Sequence, residues 1–309
     1  MLVTLLIRSI LGISSSNWII TWIIIEINTL CICYLINKEI KYIKIYNSPR
    51  INYFIIQVLR SIALLIRWRT IKSGSSIYII AALIVKIGAW PAHQWFVKLI
   101  KKIQLKIKST ILLITWQKVL PAILLTAITR RPIENTILIR LIILTIISPS
   151  LRIKKHLKVK DIIIISSIYN NGWIIIAIIR SIKTTIIFIS LYILSLAILL
   201  KKLTDKKATK INREPSTILI LLRNFRGIPP FSIFWGKVLI IKRAIEIHIP
   251  TPYLLTIIIC ACIFIFLYFS SLLKEYIEIT KKTLNKDIFN IEFIITTSLS
   301  IIRVIFTLI

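Results

Sequence analysis

Four ionisable residues interrupt stretches that are otherwise apolar: Glu26, Lys86, Lys118 and Lys237. Lys86 stands in the run Ile80–Ile87, and a Gly88–Pro91 break and His93 follow at once. A lysine at membrane depth costs about 2.5–3.5 kcal/mol on insertion scales, so its retention points to a use for its charge. The chemistry open to these residue types is proton transfer. A buried carboxyl can carry a proton or balance an ammonium group, and a lysine exchanges protons when burial and a neighbouring charge tune its affinity. Glu26 lies among Ile and Trp in Trp22-Ile-Ile-Ile-Glu26-Ile-Asn28. Lys118 sits in Thr115-Trp116-Gln117-Lys118, three residues before Pro121, and Lys237 follows Gly227-Ile-Pro229-Pro230-Phe231. The plainer alternative is that these charges only position helices.

The elements that carry them are membrane helices. The 309 residues are 57% hydrophobic with a mean hydropathy of +0.87, more apolar surface than a soluble domain needs. Segments near the roughly 20 residues that span a bilayer recur along the chain. Eleven are predicted: Leu2–Ile13, Trp18–Ile36, Tyr53–Ile66, Ile77–Leu99, Thr110–Thr129, Ile133–Ile147, Ile162–Ile179, Thr185–Leu200, Thr217–Ile241, Tyr253–Leu273 and Ile291–Ile309. The expected fold is an all-α polytopic membrane protein of one transmembrane domain. No soluble domain, flexible linker or cleavable leader is expected.

A net charge of +31 is of the size that nucleic-acid binding uses, but the lysines are dispersed through short loops. Loops after even-numbered segments hold twenty-four basic residues, and loops after odd ones hold nine. Orientation follows such asymmetry, which places the even loops on the side from which the chain was inserted. The pairs Cys31/Cys33 and Cys260/Cys262 point in different directions at i, i+2 on a helix and read as small core residues. His156 and His248 read as solvated, whereas His93 beside the break is a candidate relay near neutral pH. The polar run Ser166-Ser167-Ile168-Tyr169-Asn170-Asn171 reads as helix–helix hydrogen bonding.

The fourth and ninth segments share a Gly/Pro break beside a lysine and, five apart, cross in opposite directions. Two interrupted helices in corresponding places are the mark of an inverted repeat with its site at the interruptions. The expected halves are residues 1–130 and 131–273, with 291–309 as a closing helix. Irregular backbone at that depth requires cover by protein or water.

In order and spacing, Trp22…Glu26-Ile-Asn28, Lys86-Ile-Gly88-Ala-Trp90-Pro91-Ala-His93-Gln-Trp95, Leu113-Ile-Thr115-Trp116-Gln117-Lys118, Ser166-Ser167-Ile168…Gly172-Trp173 and Gly227-Ile-Pro229-Pro230-Phe231…Lys237 resemble the mitochondrial NADH dehydrogenase subunit 2 family. The resemblance runs from about Trp18 to Leu273. It implies an antiporter-like, proton-pumping core subunit of respiratory complex I in the mitochondrial inner membrane. That complex couples electron transfer from NADH to ubiquinone to proton translocation. The resemblance further implies that Glu26 and Lys86 form the acid–lysine pair, that Lys118 is the central relay lysine, and that Lys237 serves the second broken helix. NADH, flavin, iron–sulfur clusters and ubiquinone would belong to other subunits. This chain itself would hold no cofactor and no metal, and its partners would be other membrane subunits and lipid. A stand-alone cation/proton antiporter would share the same residues.

The chain departs from the family where a histidine is usual after Ser-Ser-Ile: it has Tyr169-Asn170-Asn171, and Asp161 stands where a basic residue is usual. It also has one Met, is crowded with Ile, and carries six arginines inside predicted spans, Arg8, Arg60, Arg140, Arg223, Arg226 and Arg303. At a few kcal/mol each these are a heavy burden. The pattern points to a gene read with the wrong table, in which some Arg codons specify Ser and one Ile codon specifies Met.

Overall fold

In a medium without water, an apolar run satisfies its amides only by closing hydrogen bonds within itself. Every element among the described residues is accordingly an α-helix. The computed structural model describes residues 11–12, 14–15, 17–39, 49–68, 76–102, 117–128, 132–150, 159–204, 221–225, 227–228, 231–246 and 250–280. Its helices are α1 (Trp18–Glu39), α2 (Pro49–Trp68), α3 (Ser76–Ile87), α4 (Gln94–Lys102), α5 (Gln117–Ile128), α6 (Pro132–Ser150), α7 (Val159–Arg180), α8 (Ile182–Thr204), α9 (Ser232–Glu246) and α10 (Thr251–Thr280). The predicted segments at Ile291–Ile309 and over most of Leu2–Ile13 lie outside the described residues, as does the part of the fifth segment before Gln117.

Most predicted segments coincide with helices and run a few residues short of them. The third was the shortest of the interior ones at Tyr53–Ile66, and the helix runs Pro49–Trp68. Proline at the first helical position has no amide hydrogen to lose and is preset for the turn. By length and composition alone, two described helical stretches would cross a bilayer, Asp161–Ile179 and Ile182–Lys201. Shorter apolar stretches lie at Ile19–Tyr34, Ile51–Leu65, Tyr78–Ile87, Leu138–Pro149 and Thr251–Phe266.

The centre of the bundle is α7. Every residue from Ile162 to Ile178 is buried, as expected of a helix apolar all round. It packs on α6, α8, α9, α5 and α4. The outer helices present Ile19, Ile23, Leu59, Ile186, Leu194, Leu255 and Phe266 outward, apolar side chains suited to lipid. At one end, Lys101 of α4 faces Asp161 of α7 at 3.5 Å. That sets the C-terminal end of α4 and the N-terminal end of α7 on one side of the bundle. The cysteines divide: Cys33 and Cys260 are partly buried and pack against the core, whereas Cys31 is only half-buried and Cys262 is exposed. Their helices turn only one stripe inward, and i, i+2 spacing cannot keep both cysteines on it.

Candidate functional site

The helix that carries Lys86 stops because Gly88 adopts a left-handed backbone, φ +78°. A Cβ makes that conformation costly, so glycine is the residue that permits it. The turn is closed by Gly88 N–H donating to the carbonyls of Ile84 and Val85 at 3.1 Å, and by Ala89 N–H reaching Ile84 at 3.2 Å. This six-to-one bond is the Schellman cap of a helix C-terminus. The second interruption repeats it. Gly227 has φ +70°, Gly227 N–H donates to Asn224 at 2.9 Å, and Ile228 N–H reaches the Arg223 carbonyl at 3.4 Å. Ser232 then donates to Asn224 Oδ1 across the break at 2.9 Å.

Buried carbonyls freed by a break must find donors. At the first one, Trp95 Nε1 donates to Val85 O at 3.2 Å. Asn171 Nδ2 of α7 donates to Ile87 O at 3.3 Å and Gly88 O at 3.1 Å. Asn171 thus caps the end of α3 from another helix.

The same amide holds Lys118. Lys118 Nζ donates to Asn171 Oδ1 at 2.7 Å and to Ser167 Oγ at 2.8 Å, with the Phe96 ring 4.8 Å away. Ser167 and Asn171 stand four apart and so share one face of α7. In the sequence both read as helix–helix contacts, and Asn171 also falls in the departure from the family. The signal that marks them as lysine ligands is their i, i+4 spacing in a helix that is otherwise apolar.

Lys86 is buried, and its Nζ lies 3.9 Å from Glu26 Oε1. That separation is a charge pair and not a hydrogen bond. Glu26 is about one-fifth exposed, and Thr29 Oγ1 lies 3.5 Å from its Oε2. Lys86 occupies the last turn of α3, where the carbonyl end of the helix dipole favours a cation by about 0.3–1 kcal/mol.

Lys237 is also buried and reaches the other interruption. A Cβ on Gly227 would lie 2.7 Å from its Nζ, which places the ammonium at the carbonyl end of the 221–225 turn. The Tyr169 ring is 4.5 Å and the Trp173 ring 5.6 Å from the same Nζ. Aromatic faces attract a desolvated cation by about 2 kcal/mol. Tyr169 is itself stacked on Phe264 at 3.8 Å.

The structure therefore brings Glu26 to Lys86 and brings all three lysines to the broken helices, but it does not set the lysines in direct contact. Residues 167 and 171 face Lys118, whereas 169 and 173 face Lys237. Two residues is about 200° around a helix, so α7 stands between the two amines. His93 is 4% exposed, consistent with a packed position beside the break. Among the described residues no group of three or more His, Cys, Asp or Glu side chains could hold a metal ion.

A family described as NADH:quinone oxidoreductase/Mrp antiporter, TM, matches residues 69–264. Relatives include NADH-ubiquinone oxidoreductase chain 2 of Didelphis virginiana, 30% identical over 82% of this chain and 79% of that protein. The chain 2 protein of Struthio camelus is 27% identical over 78% and 75%. Among solved structures, a chain of respiratory complex I from Thermus thermophilus with bound aureothin has the same fold. Its TM-score is 0.70 at 16% identity, over 86% of this chain and 68% of that one.

Proposed function

This chain belongs to the NADH:quinone oxidoreductase/Mrp antiporter transmembrane family, and from that premise we propose that it is the antiporter-like membrane subunit of a respiratory complex I. It moves protons while other subunits pass electrons from NADH to ubiquinone. The observation that carries the reading is that two buried ammonium groups, Lys86 and Lys237, each sit at the carbonyl end of an interrupted helix. A third, Lys118, is tied to the first interruption through Asn171.

In this reading Glu26 and Lys86 switch between a closed and a loosened pair. Closed, the carboxylate favours the charged amine. Loosened, the buried amine loses that support and yields its proton. Lys118 takes it up in the polar cradle of Ser167 and Asn171, and Lys237 receives it beyond α7. Because α7 separates the last two, transfer between them runs around that helix. Nothing in the chain's own residues supplies the driving energy, which arrives from neighbouring membrane subunits.

The matching caps at Gly88 and Gly227 support an inverted repeat of five helices, residues 1–130 and 131–273, within a single domain of eleven spans that ends with 291–309. Relatives named as NADH-ubiquinone oxidoreductase chain 2 support the mitochondrial inner membrane, with flavin, iron–sulfur clusters and the sites for NADH and ubiquinone in other subunits. The test is Lys86→Met in the assembled complex reconstituted in liposomes. Proton translocation falls while the complex stays intact; unchanged protons per NADH would end the assignment. A stand-alone cation/proton antiporter is the second reading, favoured by the antiporters within the same family description. Co-purification with a redox complex separates the two.

A further inference from the structure

Lys86 and the Glu26 Oε1 that faces it are buried, while the rest of the Glu26 side chain is one-fifth exposed, so a route must reach that oxygen from water. The face of α2 turned toward α1 carries polar residues at Tyr53, Gln57 and Ser61, each four apart and each no more than 1% exposed. Such spacing makes one continuous stripe on a helix. Neither the fold nor the pair itself requires it, and part of it is unsatisfied. Both amide atoms of Gln57, the Tyr53 hydroxyl and Glu26 Oε1 are buried without a hydrogen bond. A buried amide left in that condition costs about 1–3 kcal/mol, a sign that it serves something other than packing.

Register sets the stripe against Glu26. Trp22 Nε1 donates to the Ser61 carbonyl at 2.9 Å, which pins α1 to α2 at that level. The Tyr53 hydroxyl interacts electrostatically with Cys33 and Glu26, so ascending α1 corresponds to descending α2. One turn beyond Trp22 is Glu26, and one turn back from Ser61 is Gln57. The amide of Gln57 is therefore level with the carboxyl of Glu26.

Tyr53 closes the outer end. With Asn52, Gln94, Trp95 and Lys98 it lines a groove of about 370 Å3 between α2 and α4. Lys98 lies on α4, one turn before Lys101 of the Lys101–Asp161 pair, next to the end of the helix that leads into the lysine-rich fourth loop. The groove thus opens on the insertion side of the membrane.

We propose that Tyr53 and Gln57 form the proton-uptake route from this groove to the Glu26–Lys86 pair. It rests on the reading of that pair as the proton-carrying one. A hydronium ion in the groove gives a proton to the Tyr53 oxygen, leaving neutral water, while the Tyr53 hydroxyl proton passes inward to water held by the Gln57 amide. That water passes one on to the Glu26 carboxylate. The hydroxyl then turns back, and neither Tyr53 nor Gln57 keeps a net charge. Lys98 at the rim is solvent-exposed and screened within about a Debye length, so it leaves the route open.

The test uses the assembled complex in liposomes, with protons per NADH and the solvent isotope effect in heavy water as readouts. Gln57→Leu slows proton uptake by roughly a hundred-fold, the low side of what a positioned proton-transfer group contributes, and raises the isotope effect. Gln57→Asn restores most of both. Tyr53→Phe keeps the ring contact with Trp95, at 5.7 Å, and gives the same loss should Gln57→Leu fail to assemble. Lys86→Met is run in parallel. If it pumps poorly while Gln57→Leu and Tyr53→Phe pump normally with an unchanged isotope effect, the route is overturned and the pair stands. If Lys86→Met itself pumps normally, the reading of the pair fails, and the route falls with it.

Discussion

Lys118 and Asn171 are joined by a 2.7 Å hydrogen bond between helices α5 and α7, and the other end of the same amide holds the Ile87 and Gly88 carbonyls. One side chain thus links the central amine to the first helix break. A shift of the break would move the acceptor on which Lys118 depends, which is a physical route by which the state of Lys86 can be felt at Lys118.

Replacing Asn171 tests that link. Asn171→Leu leaves the ammonium with Ser167 alone and strips two buried carbonyls of their donor. A buried hydrogen-bonding group left unsatisfied costs about 1–3 kcal/mol. The complex is expected to melt earlier by native-gel or thermal-shift assay. Asn171→Gln, which keeps both hydrogen-bonding functions, recovers more of the stability than Asn171→Asp, which cannot donate to the carbonyls when ionised.

The Glu26–Lys86 pair makes a second prediction through its asymmetry. Glu26→Gln leaves a buried ammonium uncompensated, a cost of roughly 3–5 kcal/mol. Glu26→Gln combined with Lys86→Met removes both charges and should regain stability. Proton translocation stays low in both variants. A double variant that is both stable and fully active would mean that the charges only hold helices in place.

Glycine substitution separates the two interruptions. Gly227→Ala puts a methyl 2.7 Å from the Lys237 ammonium, whereas at Gly88 the nearest atom is a Trp95 ring carbon at 3.3 Å. Both pay the left-handed cost of about 1–2 kcal/mol. Gly227→Ala additionally displaces an amine, so it should depress proton translocation more than Gly88→Ala at equal complex content on a blot. Equal effects would mean that backbone strain alone decides.

The arginines within spans give a fourth prediction. Arg60 and Arg140 are exposed on helices whose outer faces are apolar, which are costly places for a charge. Mass spectrometry of the natural protein is expected to find serine at these positions and at Arg223 and Arg226, and methionine at a share of the isoleucines. Arginine found at Arg223 and Arg226 would overturn the reading.

Composition and the Gly/Pro breaks were enough to read an all-helical membrane bundle and to single out four candidate proton carriers, and the loop charges set an expected insertion side. Each of these follows from one chain segment meeting a fixed solvent. Lys86, Lys118 and Lys237 could be picked out because a charge in an apolar run is conspicuous wherever the run ends up. Of the cysteines read as core, Cys33 and Cys260 pack on it and Cys262 does not, because a helix apolar on most sides does not announce which stripe faces inward. Only the packed structure decides what each charge meets: Glu26 reaches Lys86 from α1, Asn171 joins Lys118 to the end of α3, and Tyr169 and Trp173 on the far side of α7 enclose Lys237. Those contacts span up to 84 residues of chain. They depend on the rotation and register of neighbouring helices, which local periodicity leaves free and close packing settles.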